Sequence, residues 1–178
     1  AIIAHVDHGK TTLVDELLKQ SGVFRSHQVV QERVMDSNDI ERERGITILS
    51  KNTAVQYKDY KINIIDTPGH ADFSSEMERV LQVLDVAVLV ISGSEGVQSH
   101  TKTIWELLER YHVPTFVFVN KMDMIQSNHD EVMESLLKLS PSFIDYEMEE
   151  DLRFESISLL KDELLEMYLE TGIIQDDI

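Results

Sequence analysis

The sequence has no cysteine among its 178 residues. Neither disulfide bonds nor cysteine-ligated metals can therefore hold the protein together. No apolar run approaches the roughly 20 residues that a membrane-spanning helix needs, and no secretory signal peptide is visible. These absences favour a soluble cytoplasmic protein that makes no contact with a membrane.

Basic residues are scarce. Lys and Arg together number 16, against 33 Asp and Glu, and the formal net charge is −17. The excess of acidic residues is concentrated in residues 124–178, which hold 15 acidic and 3 basic residues. Because nucleic-acid-binding surfaces are basic, we expect no strong nucleic-acid binding by this chain alone. The acidic segment could attract a basic partner, but an ordinary solvated surface is the more economical interpretation.

The length and the hydrophobic fraction of 42% suit one globular domain with a substantial core. Seven histidines are present, but they do not form a metal-binding pattern. Because they belong to separate sequence elements, we expect scattered surface histidines rather than a zinc site; those considered are His5, His8, His70, His100 and His112.

The most informative motif is the segment Ala-His-Val-Asp-His-Gly-Lys-Thr-Thr at residues 4–12. It follows an apolar run and precedes an amphipathic one, so a strand, a tight loop and a helix start meet at Lys10. Loop N–H groups and the positive end of a helix suit a phosphate. Lys10 would reach the β- and γ-phosphates of a nucleotide, and the Thr11 hydroxyl would hold Mg²⁺. The usual pattern opens with Gly where this chain has Ala4, so the motif alone also allows simple helix capping.

A second motif, Ile-Asn-Ile-Ile-Asp-Thr-Pro-Gly-His, stands at residues 62–70. An apolar strand ends there in Asp66, at the edge where open α/β sheets bind their ligands. A carboxylate in that position can hold Mg²⁺ through water. Gly69 would let its backbone N–H approach a γ-phosphate, although an ordinary Thr-Pro-Gly turn also explains the segment.

A third motif, Phe-Val-Phe-Val-Asn-Lys-Met-Asp, occupies residues 116–123. Asp123 can accept hydrogen bonds from both N1–H and the 2-amino group of guanine, a pair that adenine lacks. Asn120 can bond the base and tie loops together, and the Lys121 stem can lie over the ring. A solvated strand end is the alternative.

A fourth motif, Glu-Arg-Glu-Arg-Gly-Ile-Thr-Ile, spans residues 41–48. Thr47 could complete a magnesium shell and sense the γ-phosphate, as switch segments do. The charges alone would indicate no more than a solvated loop.

Taken together, the four motifs resemble the signatures of translational GTPases, and the similarity covers nearly the whole chain. Residues 21–54 are most similar to the BipA/TypA type. From about residue 62 onward the sequence looks more like elongation factor G and the tetracycline-resistance ribosomal protection proteins. The subfamily therefore stays open.

The resemblance implies a guanine-nucleotide site that binds GTP or GDP. Its nucleotide-binding residues would be Asp7, His8, Gly9, Lys10, Thr11, Thr12, Gly69, Asn120, Lys121 and Asp123. Within this set Thr12 would contact the α-phosphate. The Mg²⁺ ligands would be Thr11, Thr47 and Asp66.

The resemblance also implies a catalytic apparatus. His70 would orient the attacking water, while Val6 and Ile46 would form an apolar gate that holds His70 away until the ribosome docks. Phosphoryl transfer depends on positioning and charge neutralisation more than on covalent chemistry, which suits these roles.

The implied fold is an α/β P-loop NTPase, with a mostly parallel sheet, one antiparallel edge strand and helices on both faces. The patterns predict strands over 1–3, 48–57, 60–66, 86–91 and 114–120, and helices over 10–20, 73–84, 104–111, 129–139 and 158–170. Lys58 and Asp59 would form the turn of a hairpin. The nucleotide-sensitive switch would cover residues 36–50 and 66–75.

We expect the chain to be a GTP-binding domain over residues 1–178 that is truncated at both ends. It lacks a starting Met and begins inside its first strand, and no Ser-Ala-type loop completes the guanine pocket after Asp123. The final strand and helix of the domain would then be absent. The acidic segment 124–178 would be the start of the insertion that elongation factor G carries.

The leading hypothesis is a monomeric GTPase domain of a ribosome-associated factor, either elongation factor G-like or of the tetracycline ribosomal protection type. It would hydrolyse GTP to GDP and phosphate, slowly until the ribosome is bound. One alternative is a non-catalytic guanine-nucleotide switch module, and another is a BipA/TypA-type stress GTPase. An ATP-dependent P-loop kinase conflicts with the sequence Asn-Lys-Met-Asp at residues 120–123.

Overall fold

A computed structural model describes residues 1–21, 51–67 and 74–172 of the chain. The chain divides into two compact units, Ala1–His129 and Asp130–Ile178. The elements of the first are β1 (Ile2–Ala4), α1 (Lys10–Gln20), β2 (Lys51–Tyr57), β3 (Tyr60–Asp66), α2 (Ser74–Leu81), β4 (Ala87–Ser92), α3 (Ser99–Arg110) and β5 (Thr115–Asn120). Those of the second are α4 (His129–Leu139), which begins at the boundary, α5 (Glu150–Ser158) and α6 (Asp162–Thr171).

The five strands form one sheet in the order β2-β3-β1-β4-β5. Strand β2 is antiparallel to β3, and all the other neighbouring pairs are parallel. The predicted mostly parallel sheet with one antiparallel edge strand is therefore confirmed. Tyr57 pairs with Tyr60 across the two-residue turn, which confirms the hairpin at Lys58 and Asp59.

Both faces of the central strands β1 and β4 are buried. On one face, Val14 and Leu18 of α1 belong to a core cluster with residues of four strands: Ile2, Ala4, Val55, Ile64 and Val90. Because strand side chains alternate between faces, Ile3 and Leu89 point to the opposite face, where they too are fully buried. The apolar runs of β1 and β4 are thus those of central parallel strands covered on both sides.

The carboxyl ends of β3, β1, β4 and β5 meet at one edge of the sheet. Asp66 at the end of β3 pairs with Ile2, and Ser92 at the end of β4 pairs with Asn120 at the end of β5. This edge is where open α/β sheets bind ligands, and the predicted phosphate and guanine motifs both start from it.

The second unit differs from the prediction. The helix expected over 158–170 is present as α6, but it begins later, at Asp162, and α5, which ends at Ser158, was not predicted. Lys161 has extended backbone angles, and Asp162 and Glu163 provide the first-turn carboxylates that favour a new helix start. The helical spacing of Leu160, Leu164, Met167 and Tyr168 predicts one packing stripe. Leu160 does not belong to it, since it lies outside both helices and is 49% exposed, whereas the other three are half-buried on α6. Within the described ranges, no helix has the length and apolar character needed to cross a bilayer.

Candidate nucleotide-binding site

The phosphate loop, residues 5–9, connects β1 to α1 through two left-handed residues. Asp7 has φ 64° and Gly9 has φ 93°, and the His8 N–H donates to the His5 carbonyl at 3.3 Å. Gly9 is the N-cap of α1, where no side chain caps the helix. The intrahelical ladder includes a bond from the Leu13 N–H to the Gly9 carbonyl, 3.0 Å. The first-turn N–H groups of α1 therefore point out of the helix, as an anion site requires.

Lys10 is the first residue of α1 and is buried, with 8% of its surface exposed. Thr11 beside it is half-buried, whereas Thr12 and Asp7 are exposed. Val6, the predicted gate residue, is half-buried in the phosphate loop. These residues lie together at the carboxyl edge of the sheet.

Asn120 joins the phosphate loop to the end of β5. Its side-chain amide donates to the His8 carbonyl at 2.9 Å, across 112 residues of sequence. A Cβ on Gly9 would overlap this amide, so the close approach requires glycine. The phosphate loop and the proposed guanine motif thus form one hydrogen-bonded assembly.

The guanine motif is shaped by a turn after β5. Lys121 has φ 60°, and its carbonyl accepts hydrogen bonds from the Ser127 hydroxyl at 2.6 Å and the Met124 N–H at 3.2 Å. Asp123 lies exposed in this turn. Sequence reasoning missed Ser127, because a hydroxyl that holds a carbonyl six residues away leaves no motif.

The β4–α3 connection is held to the same place. The Gly93 N–H donates to the Asn120 carbonyl at 2.7 Å, which continues the pairing of β4 with β5 by one residue. A Cβ on Gly93 would collide with the Met122 sulfur, so this glycine also allows a close approach. The sequence motifs did not single out Gly93.

Three histidines cluster at the phosphate loop, contrary to expectation. The ring centroids of His5 and His8 lie 5.1 Å apart, and those of His5 and His100 lie 5.9 Å apart. His8 has no exposed surface. The prediction of scattered surface histidines is wrong for these three, because the loop and the start of α3 converge. In the part of the chain that the structure describes, no group of three or more histidine or acidic side chains is arranged to hold a metal ion.

The surroundings of His8 disfavour its charged form. Burial lowers the pKa of its imidazole below the ordinary value, and the neighbouring His5 and Lys121 act in the same direction. The Val90 carbonyl and the Glu95 carboxylate oppose this shift without reversing it. The Glu95 carboxylate lies 3.6 Å from Nε2.

Most of the residues predicted to bind the metal or to take part in catalysis lie outside the part of the chain that the structure describes. The backbone of Asp66 ends β3 at the site edge, where the buried Thr67 hydroxyl donates to the Ile2 carbonyl at 3.1 Å. The Asp66 side chain lies outside the description, and so do four whole residues: Ile46, Thr47, Gly69 and His70. The structure therefore brings together the phosphate and guanine motifs, while the magnesium and water-orienting roles stay predictions.

Known proteins are similar to this chain in sequence and in fold. Residues 1–173 match the family described as the Elongation factor Tu GTP binding domain. A Bacillus subtilis protein named large ribosomal subunit assembly factor BipA is 52% identical over 155 residues, which are 86% of this chain and 25% of that protein. Proteins of the same name from Escherichia coli O157:H7 and from a Buchnera aphidicola are also 52% identical, over 78% of this chain and 23% of theirs.

A crystal structure of a protein from Thermus thermophilus superimposes with a TM-score of 0.77. The match covers 95% of this chain and 33% of that one at 23% identity, so it supports the fold alone. The chain spans about a quarter of the length of the BipA relatives. Since the family match covers nearly all residues, the chain belongs to the Elongation factor Tu GTP binding domain family, the GTP-binding domain of translational GTPases.

Proposed function

We propose that this chain is the GTP-hydrolysing domain of a ribosome-associated factor of the BipA type. The relatives described above are named large ribosomal subunit assembly factors, which favours this type over the elongation factor G-like and tetracycline-protection alternatives. The observation that carries the proposal is the hydrogen bond from the Asn120 amide to the His8 carbonyl, because it joins the loop that we assign to the phosphates to the strand end that we assign to guanine.

In this proposal the phosphates lie against the first turn of α1. The loop N–H groups and the Lys10 ammonium neutralise the β- and γ-phosphates, and Thr12 contacts the α-phosphate. Guanine lies against the turn after β5, where Asp123 accepts from its N1–H and 2-amino groups. The Lys121 stem covers the ring.

Mg²⁺ is the metal that this donor set fits. The proposed ligands are Thr11, Thr47 and Asp66, and hydroxyl and carboxylate oxygens are the ligands that Mg²⁺ prefers. Thr11 stands directly after Lys10 at the start of α1, and Asp66 ends the strand that pairs with β1. A bound Mg²⁺ would supply charge neutralisation during phosphoryl transfer.

Hydrolysis in this proposal depends on His70, which would orient the attacking water. Val6 and Ile46 would keep His70 away from the nucleotide until the ribosome docks. Residues 36–50 and 66–75 would form the switch that responds to the γ-phosphate. Slow turnover without ribosomes follows from this arrangement.

The second unit is proposed to be the start of an insertion into this domain, within residues 124–178. Its net charge of −12 opposes binding to nucleic acid. The overall charge of −17 also disfavours self-association, so the chain is proposed to be monomeric.

The base pocket is tested by nucleotide choice. Asp123→Asn replaces an acceptor of guanine hydrogens with an amide that can donate to the 2-oxo group of xanthine. We expect GTP affinity to fall by about a hundredfold or more, and affinity for xanthosine triphosphate to rise. Fluorescent-nucleotide competition measures both. Asp59→Asn makes the same change in the exposed hairpin turn and should alter neither. Equal binding of ATP and GTP by the unmodified chain would show that the pocket is wrongly assigned.

The catalytic role is tested in the full-length parent protein with ribosomes present. His70→Ala should reduce ribosome-stimulated GTP hydrolysis by about a hundredfold to ten-thousandfold while leaving GTP binding intact. His112→Ala, at an exposed position between α3 and β5, serves as the matched control. Equal hydrolysis rates for His70→Ala and the unmodified protein would favour the non-catalytic switch module.

A further inference from the structure

The parallel ladder between β1 and β4 runs out at the phosphate loop. The two strands pair from Ile2 and Val88 to Ala4 and Val90, and the Val88 N–H donates to the Ala1 carbonyl at 2.7 Å. Every second N–H of a strand faces the same neighbour, so Ser92 presents the next donor at this edge after Val90. Strand β1 ends at Ala4, where the chain turns away into the phosphate loop.

The His8 imidazole accepts a hydrogen bond from this N–H. The Ser92 N–H lies 3.2 Å from Nδ1 of His8, although 84 residues separate the two in sequence. Ser92 is fully buried, and a buried backbone N–H without a partner is costly. A side chain of the phosphate loop thus takes the place of the missing β1 residue.

The hydrogen-bond network assigns the tautomer of His8. The Ser92 N–H is always a donor, so Nδ1 must accept and cannot carry a proton. The Val90 carbonyl, at 3.4 Å from Nδ1, is then a neighbour and not an acceptor. In this tautomer Nε2 carries the proton; among the described residues it has no hydrogen-bond partner, and a Glu95 carboxylate oxygen lies 3.6 Å away.

His8 is therefore held at both ends. Its imidazole is tied to β4 through Ser92, and its carbonyl is tied to β5 through Asn120. The peptide between His8 and Gly9, which leads directly into Lys10, cannot shift without breaking one of these bonds.

We propose that the His8 imidazole is a positioning residue of the phosphate loop, which fixes the loop for nucleotide phosphates by accepting the Ser92 N–H. This inference rests on the proposed nucleotide site at the same loop. In it the imidazole touches the β4 backbone and not the nucleotide, so His8 acts on binding through the loop peptides.

The test compares His8→Asn with His8→Leu in the 178-residue chain. The Asn side-chain oxygen occupies nearly the place of Nδ1 and can accept the Ser92 N–H, whereas Leu has similar size and no acceptor. We expect GDP affinity to fall by about tenfold to a hundredfold in His8→Leu, and most of that loss to be recovered in His8→Asn. His112→Asn is the control for the substitution type and should bind like the unmodified chain. Thermal unfolding establishes which variants are folded at the assay temperature.

Equal losses of GDP affinity in both His8 variants, or no loss in either, would overturn the positioning role. If His8→Leu does not fold, His8→Asn alone decides, and it must bind GDP nearly as the unmodified chain does.

A second readout needs no nucleotide. Nitrogen NMR of the unmodified chain should show Nδ1 of His8 unprotonated, and the Ser92 amide should exchange slowly with solvent in the unmodified chain and in His8→Asn. A protonated Nδ1 or a rapidly exchanging Ser92 amide would overturn the positioning role while leaving the proposed function standing. If the unmodified chain shows these signatures but binds no guanine nucleotide, the proposed function fails, and the role in nucleotide binding fails with it.

Discussion

Gly9 occupies a position that no larger residue fits. Its φ of 93° is left-handed, and the space where a Cβ would stand is filled by the Asn120 amide. Gly172, at the end of α6, also has a left-handed φ, 72°, but nothing lies within 4 Å of its Cβ position. Comparing substitutions at the two glycines therefore distinguishes the cost of backbone strain from the cost of steric overlap.

Replacement of Gly9 should cost more than replacement of Gly172. We expect Gly172→Ala to lower the free energy of unfolding by about 1–2 kcal/mol through strain alone. Gly9→Ala adds an overlap and should lower it by about 2–5 kcal/mol. Urea denaturation measures both, and only Gly9→Ala should weaken GDP binding.

The source of the Gly9 effect can be isolated. In the double variant Gly9→Ala with Asn120→Ala the overlapping amide is gone, so the double variant should be more stable than the sum of the single effects predicts. Strict additivity would show that the amide does not restrict this position.

At the scale of the element, helix α1 shows how far periodicity predicts burial. The spacing of Leu13, Val14, Leu17 and Leu18 is typical of a helix that buries one side. Val14 and Leu18 are buried, but Leu17 is 40% exposed, since it lies about 100° around the helix from Leu18. A stripe of four apolar residues therefore predicts which side of a helix is buried, but not which residues at the edge of the stripe stay exposed.

Two adjacent leucines of α1 should therefore respond differently to truncation. Leu18→Ala leaves a cavity in the cluster that includes Val14 and Val90, and should lower the free energy of unfolding by about 2–5 kcal/mol. Leu17→Ala removes the same atoms from the rim and should cost less than about 1 kcal/mol. Chemical denaturation compares them, and equal costs would contradict the burial described for α1.

The strands could be predicted because local sequence signals mark them, and such signals are missing where the helices of the second unit begin and end. The apolar runs of β4 and β5 and the two-residue turn between β2 and β3 are local signals. In contrast, α5 was not predicted, and α6 begins at Asp162, inside the segment where one helix was expected from residue 158. Periodicity could not place this helix start, because the extended conformation of Lys161 is not encoded by a Gly or Pro.

At the scale of the whole molecule, charge is the dominant feature. The segment 124–178 carries most of the net charge of −17. On α6, Glu163, Glu166 and Glu170 are exposed and spaced three and four residues apart, so they repel one another. Glu134 of α4 differs: its carboxylate accepts from the Lys138 ammonium at 2.6 Å, which lowers the pKa of Glu134.

Salt should therefore stabilise the protein. We expect the midpoint of thermal unfolding to rise when NaCl is increased from about 10 mM to about 150 mM. The Debye screening length falls over this range from about 30 Å to about 8 Å, which weakens the repulsion between acidic side chains. Glu166→Gln removes one of the repelling charges and should reduce this salt-dependent rise in the midpoint. Glu134→Gln removes the carboxylate that attracts Lys138, so it should not reduce the rise. A midpoint that falls with salt would show that attractive pairs dominate instead.

The sequence by itself determined the parts of this protein that depend on nearby residues. These are the phosphate loop between a strand and a helix, the Asn-Lys-Met-Asp turn after β5, and the strands that make a mostly parallel sheet. Only the tertiary structure decided that the His8 carbonyl meets Asn120 and that the His8 imidazole meets Ser92. Those bonds span 112 and 84 residues, so they exist only because parallel pairing in register brings distant strand ends to one edge.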